Sequence, residues 1–254
     1  MCYNNAMNAF SLEGKRILVT GASSGIGRAT AIAAAELGAE VVLTARRAGE
    51  LGATRRLCPG EGHRVIAGDL TDSLFLTGLL EASAPLDGLA HVAGACPIEP
   101  VSGFDVARAE AAMRVNCFAF AELMKRLARP TFRAATFSAV AVSSVSAVVG
   151  WSGGTVYCAT KGALSASVRT LAAELAPRGI RVNAVCPSNV QTPMFEAGAG
   201  RMLDAAARAA LLKRQPLGIG KPAQVAYPIC FLLSDAASFV TGVNLPVDGG
   251  YLAQ

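Results

Sequence analysis

Lys15-Arg16 lead into Ile17-Leu18-Val19-Thr20, which runs without a break into Gly21-Ala22-Ser23-Ser24-Gly25-Ile26-Gly27. The first four residues are apolar and mostly β-branched, the pattern of a parallel strand buried on both faces. An alanine-rich segment, 28–37, follows the glycines at helical composition and stops at Gly38. Strand, glycine loop and helix in this order give the glycine spacing a meaning that it lacks alone. Small residues let the backbone turn tightly and approach a pyrophosphate, whose charge is favoured at a helix N-terminus. As a bare pattern, Gly-x-x-x-Gly-x-Gly is as compatible with a structural turn as with a nucleotide site; the context favours the nucleotide site.

More strands follow at the spacing of a βα repeat. Glu40–Thr44 reads as a second strand, Arg64–Leu70 as a third and Leu86–Gly94 as a fourth. Thr136–Ser144 fits a central strand and Arg181–Pro187 a sixth. Between them, Leu164, Val168, Leu171 and Leu175 recur at helical spacing before Gly179. The expected fold is α/β: a three-layer, doubly wound parallel sheet of about seven strands, of the Rossmann type, with residues 1–254 as one domain.

Composition narrows the function. The chain has 254 residues, 52% hydrophobic and 16% charged, with a formal net charge of +5. That length buries roughly 70–75% of the unfolded surface in one core. Its basic residues are scattered, so no nucleic-acid partner is expected. Apolar runs fall short of the ~20 residues that a membrane span needs, and residues 1–12 lack the features of a signal peptide. Seven dispersed cysteines suit reduced thiols in a cytoplasm, and two histidines, His63 and His91, make no metal cluster. His91 reads as a structural histidine at a strand end.

Two further points concern the cofactor. An NAD enzyme would carry an acidic side chain at the end of the second strand, where this chain has Ala45-Arg46-Arg47. Arg46 is a planar cation suited to a 2′-phosphate, and NADP(H) is the expected cofactor. Asp69 at the end of the third strand either accepts a hydrogen bond from an adenine amine or caps the helix beginning at Thr71-Asp72, or does both.

Chemistry enters with Tyr157 and Lys161. Four residues apart on a helix over 158–177, they share one face. A phenol titrates near ~10, and a neighbouring ammonium favours the phenolate and lowers that value. Taken alone the pair is as ordinary as any exposed Tyr and Lys. Together with Thr20–Gly27, Asp69-Leu70, Ala93-Gly94, Asn116 and Ser144, in this order, it resembles the short-chain dehydrogenase/reductase family from about residue 11 to 252.

That resemblance implies roles. Tyr157 would be the general acid/base, and Lys161 would lower its pKa and hold the nicotinamide ribose. Ser144 would orient the substrate carbonyl, and Asn116, inside the helix Val115–Leu127, would support a proton-relay water. Cofactor contacts are expected from Gly21, Ser23, Ser24, Gly25, Ile26, Gly27, Arg46, Arg47, Asp69, Leu70, Ala93, Gly94, Val190 and Thr192, with Thr192 near the nicotinamide carboxamide. A seventh strand over Phe239–Gly250 is implied only by this resemblance. A small carbonyl or secondary alcohol is the implied substrate, and a homotetramer or homodimer the implied assembly. Two departures stand out. The family's Asn-Asn-Ala-Gly is His91-Val92-Ala93-Gly94 here, and its Pro-Gly after strand six is Pro187-Ser188. Residues 194–215, with Met194, Phe195, Met202 and Leu203 among glycines, suit either a substrate lid or an ordinary surface helix. A same-fold lyase or epimerase, or a non-catalytic NADP-binding regulator, is the alternative to a ketoreductase.

Overall fold

The computed structural model describes residues 9–202 and 204–254. Seven strands form one parallel sheet: β1 (Arg16–Thr20), β2 (Glu40–Ala45), β3 (Arg64–Ala67), β4 (Leu86–His91), β5 (Arg133–Val142), β6 (Ile180–Pro187) and β7 (Asn244–Val247). Their order across the sheet is β3-β2-β1-β4-β5-β6-β7. The winding therefore reverses between β1 and β4, whose registers pair Ile17 with Gly88 and Thr20 with His91. In a sheet of this kind the crevice beyond that reversal is where ligands bind.

Helices cover both faces. On one side α1 (Gly25–Glu36), α2 (Ala48–Leu57) and α9 (Pro222–Leu233) pack Ala31, Ala34, Leu51 and Ile229 against Ile17, Val19, Val41 and Val140. On the other, α3 (Ser73–Ser83), α5 (Ala119–Leu127) and α6 (Thr155–Leu175) bring Leu79, Leu123, Leu164 and Val168 onto Leu18, Leu89, Ala139 and Val182. Each fully buried leucine or valine stabilises the fold by about 1.5–3 kcal/mol relative to exposure. Strands clad on both sides have no polar face, which is why they read as continuous apolar runs. Gly179 ends the α6 region in the left-handed conformation, φ 72°. The remaining helices are α4 (Val106–Met113), α7 (Pro193–Ala197) and α8 (Ala205–Arg214).

Several boundaries differ from the sequence reading; among them β5 runs Arg133–Val142 rather than Thr136–Ser144, and α6 starts at Thr155 rather than 158. The third strand stops at Ala67 rather than Leu70: Gly68 still donates to Ala45 O, but the Phe75 ring then lies over Gly68 and the chain turns out of the sheet. The helix that follows starts at Ser73 and is capped by Asp72, which accepts from the N–H groups of Leu74 and Phe75. Asp69 is thus not the cap; its Oδ1 accepts instead from Thr71 N–H and Thr71 Oγ1, both at 2.8 Å. The fourth strand ends at His91, because the N–H groups of Val92 and Ala93 turn to the Thr20 hydroxyl. The seventh is only Asn244–Val247, since Gly242 and Gly249 flank it at positive φ.

Candidate active site

A cleft of about 1170 Å³ opens at the carboxyl edge of the sheet, over the β1/β4 reversal. All the expected cofactor residues line it, and so do Ser144, Tyr157 and Lys161. Asn116 does not; it is fully buried behind the cleft wall. A smaller hollow of about 410 Å³ at the opposite edge is lined by Arg16, Glu40, His63 and Asp87. Most of its polar groups have protein partners: Arg16 pairs with Glu40, Asp87 accepts from Arg16 N–H, and His63 accepts from Val41 N–H. Free chemistry is concentrated in the large cleft.

The glycine loop is boxed in from several directions. Gly21 holds φ 66°, and a Cβ there would stand 2.8 Å from Ala93 N. A Cβ on Gly27 would stand 2.2 Å from Gly21 O. Behind the loop, Thr54 Oγ1 donates to Ala22 O, while Arg28 donates to Ser23 O and pairs with Glu50. In front, Arg47 Nη2 donates to the hydroxyls of both Ser23 and Ser24 at 3.2 Å. Arg46 is exposed beside it. The result is a rigid concave backbone at the N-terminus of α1 with two guanidinium groups at its rim, which suits a pyrophosphate and a further phosphate. Asp69 lies on the same wall; its hydrogen bonds from Thr71 hold its carboxyl below the usual carboxylate range.

His91 fills the place of a family asparagine and does a comparable structural job. Thr20 Oγ1 accepts from Val92 N–H (3.0 Å) and Ala93 N–H (3.1 Å), so its own proton is left for His91 Nδ1 at 3.2 Å. The ring is then neutral, with Nε2 buried and without a hydrogen-bond partner among the described residues. Burial, reinforced by the Lys161 charge, pushes its pKa down to about 3 against a smaller opposing effect of the Val115 backbone. A histidine so held is no acid or base at neutral pH. Ser188, the other departure, donates to Asp248 O at 2.8 Å and so ties the end of β6 to the C-terminal turn.

Asn116 sits where α4 passes into α5 through a π turn, Arg114–Phe118. The extra residue of such a turn redirects side chains that regular periodicity would place elsewhere. Asn116 Oδ1 accepts from Ala95 N–H (2.7 Å), and its Nδ2 donates to Ala95 O (2.8 Å) and Thr160 Oγ1 (2.9 Å). One amide thereby joins the segment after β4 to the helix that carries Tyr157 and Lys161.

Ser144 follows the end of β5. Its hydroxyl donates to Pro187 O at 3.3 Å and accepts from Ser146 N–H at 3.1 Å. Tyr157 and Lys161 lie one turn apart at the start of α6, with Lys161 Nζ 5.6 Å from the Tyr157 ring centroid. The lysine is buried and donates to Val142 O at 2.8 Å. Burial lowers its pKa to about 8. Burial also raises the Tyr157 pKa above the ordinary phenol value; the Cys96 thiol adds to the rise and the Ser144 hydroxyl opposes it. The sequence reading had the ammonium lowering that pKa. In the structure burial is the largest influence and acts the other way, so the phenol holds its proton at neutral pH.

Several supporting residues carried no sequence signal for their role: Thr20, Arg28, Thr54 and Thr160 act through partners far away in the chain. Thr192 caps α7 by accepting from Phe195 N–H, and its Cγ2 packs against Gly25. The six described cysteines are all free. Burial pushes Cys96, on the cleft wall, up to about 11, which makes it a poor nucleophile. Of the 194–215 segment, Met194, Phe195 and Leu211 line the cleft, while Leu203 and the Met202 side chain lie outside the described residues. Among the described residues no helix is long and apolar enough to cross a membrane, and no group of His, Cys, Asp and Glu could hold a metal.

This sheet, loop and Ser–Tyr–Lys grouping go with a direct family match. The adh_short_C2 family model, described as enoyl-(acyl carrier protein) reductase, matches residues 21–252, and the chain belongs to the short-chain dehydrogenase/reductase family. Among its relatives, L-xylulose reductase of Bos taurus is 38% identical over 95% of this chain and 98% of its own. Cis-4-hydroxycyclohexanecarboxylate dehydrogenase of Sinomonas cyclohexanicum is 39% identical over 93% and 96%. A solved structure from Agrobacterium tumefaciens with bound NADP superimposes with a TM-score of 0.85, at 33% identity over 97% of this chain and 100% of that one.

Proposed function

We propose that the protein is an NADP(H)-dependent oxidoreductase interconverting a ketone and a secondary alcohol. The observation that carries this reading is the convergence of Ser144, Tyr157 and Lys161 on one cleft with the boxed glycine loop and two arginines at its rim. Bound NADPH supplies the hydride that adds to the carbonyl carbon. The Ser144 hydroxyl, which donates to Pro187 O in the free protein, turns its proton to the carbonyl oxygen, and Tyr157 holds the proton that this oxygen takes. Such donors act mainly where charge develops in the transition state. Lys161 keeps a positive charge beside the phenol. Asn116 braces Ala95 and Thr160, so a relay water would meet its backbone rather than its amide. Arg46 and Arg47 together take the 2′-phosphate, Asp69 faces the adenine amine, and the segments that bring Met194, Phe195 and Leu211 to the cleft form the substrate lid.

Titration of the purified protein with NADPH and NADH side by side tests the reading. Tight NADPH and weak NADH are expected; binding of neither would remove the basis for an enzyme. Arg46→Ala should weaken NADPH by about 1–3 kcal/mol and leave NADH nearly untouched. Equal losses for both cofactors would refute the 2′-phosphate role.

The pH dependence has a definite sign. Lys161 is charged below about 8 and neutral above it, and kcat/KM reports the titration of the free enzyme. Reductive kcat/KM should be flat at neutral pH, where Tyr157 is protonated and Lys161 charged, and fall as Lys161 loses its charge. A reductive profile that rises through that pH would contradict these roles.

The relatives point to two kinds of substrate: an open-chain sugar in L-xylulose reductase and a six-membered carbocycle in the cyclohexanecarboxylate dehydrogenase.

A further inference from the structure

The wall beyond the reacting groups discriminates between those two kinds of substrate. Trp151, the chain's single tryptophan, stands beside Tyr157 with ring centroids 6.3 Å apart. Its Nε1 donates to Ser146 Oγ at 3.1 Å. Its seat depends on Gly154, where a Cβ would come within 2.6 Å of the indole. Ile98 adjoins it, with Cγ2 against Gly153 and Cδ1 against Gly198. It thereby bridges the Trp151 loop to the segment that brings Met194 and Phe195 to the cleft, and Val149 and Leu211 add further apolar surface.

An open-chain polyol needs a hydrogen-bond partner for each hydroxyl, and buried polar groups left unpaired are costly. Most polar side chains of that half already hold a protein partner. Ser146 Oγ accepts from Trp151, Ser188 donates to Asp248 O, and Thr192 Oγ1 accepts from Phe195 N–H. The Asn189 side-chain amide turns to Gln215, Arg108 pairs with Glu99, and Arg114 is exposed to solvent. Ser144 and Tyr157, both on the cleft wall, serve the one oxygen that reacts.

We infer that the substrate is a carbocyclic ketone, or the matching cyclic secondary alcohol, in preference to an open-chain polyol, and that Trp151 sets the preference. The inference rests on the oxidoreductase reading above. In the reductive direction the ring carbonyl gains hydride at carbon from NADPH and a proton at oxygen from Tyr157, giving the cyclic alcohol and NADP+.

The test compares 2-decalone and 4-methylcyclohexanone with L-erythrulose and dihydroxyacetone under NADPH. The cyclic ketones should show kcat/KM about 100-fold higher, the scale on which several methylenes in an apolar pocket discriminate. Trp151→Ala should raise KM for 2-decalone by about 10-fold while kcat falls less, and Trp151→Phe should recover most of the loss. Polyols turned over equally well or better would overturn the inference and leave the redox reading intact. A second readout does not need turnover: Trp151 emission in the NADP+-saturated protein should shift with 2-decalone and not with erythrulose. That shift without any turnover would sink the oxidoreductase reading while supporting the cyclic occupant; neither shift nor turnover would overturn both.

Discussion

Tyr157→Phe is expected to lower the rate of carbonyl reduction by roughly 100- to 10,000-fold, the range spanned by positioned general acids, with NADPH affinity and melting temperature unchanged. The substitution removes one oxygen and keeps the ring. The contacts of that ring, with Trp151 at 6.3 Å between centroids and Lys161 Nζ at 5.6 Å, do not need the hydroxyl. Burial already disfavours ionisation of this group in the free protein, so no buried charge is left without a partner when it goes. What the variant lacks is the proton that the substrate oxygen must receive. Ser144 remains to polarise the carbonyl, which leaves a residual rate above the uncatalysed one. Near-normal turnover would show that Tyr157 is not the acid. A collapse in NADPH binding would show instead that it acts mainly by holding cofactor.

The fold was legible because buried parallel strands and alanine-rich helices leave unmistakable runs, and because Gly21–Gly27 stands where a first strand meets a first helix. Strand ends were less legible, for physical reasons. Gly68-Asp69-Leu70 continues the β3 pattern but leaves the sheet under the Phe75 ring, and Phe239 has a strand's composition yet is fully exposed. The site divides in the same way. Tyr157 and Lys161 could be paired from spacing alone, since both lie on one regular helix. The π turn at Asn116 could not, because a one-residue insertion in a helix has no compositional mark. Nor could the hydroxyl brace from Thr20 to His91, or that from Thr54 to Ala22, whose partners are 71 and 32 residues apart. The direction of the Tyr157 shift was beyond reach for another reason. The charge of Lys161 is written in the sequence, whereas the desolvation that raises the Tyr157 pKa exists only after folding.

The second large effect is expected at Gly27. In most helices Gly→Ala is stabilising, because it restricts the unfolded chain, and Gly78 of α3, with open space where a Cβ would go, should gain about 0.4–1 kcal/mol from it. At Gly27 the same change places a methyl 2.2 Å from Gly21 O and 2.6 Å from Gly21 C, both backbone atoms. The loop cannot slide away. Gly21 is itself pressed against Ala93 N, Ala22 O is held by Thr54, and Ser23 O is held by Arg28. Relief must come from prying α1 off β1 or from opening the loop, and either motion spoils the concave backbone that receives the pyrophosphate. Gly27→Ala should therefore cost about 1–3 kcal/mol, typical of overpacking a tight site, and lower Tm by about 2–4 °C for each kcal/mol in a chain of this size. Binding of NADPH and NADH should be lost together, since the pyrophosphate is common to both. This separates the loop from the arginines, whose loss discriminates between the two cofactors. Thermal melts of Gly27→Ala and Gly78→Ala, each with and without NADPH, measure both effects. A Gly27→Ala protein that melts like Gly78→Ala and is still stabilised by NADPH would mean that the loop has slack the geometry denies, and that its glycines are not what admits the cofactor.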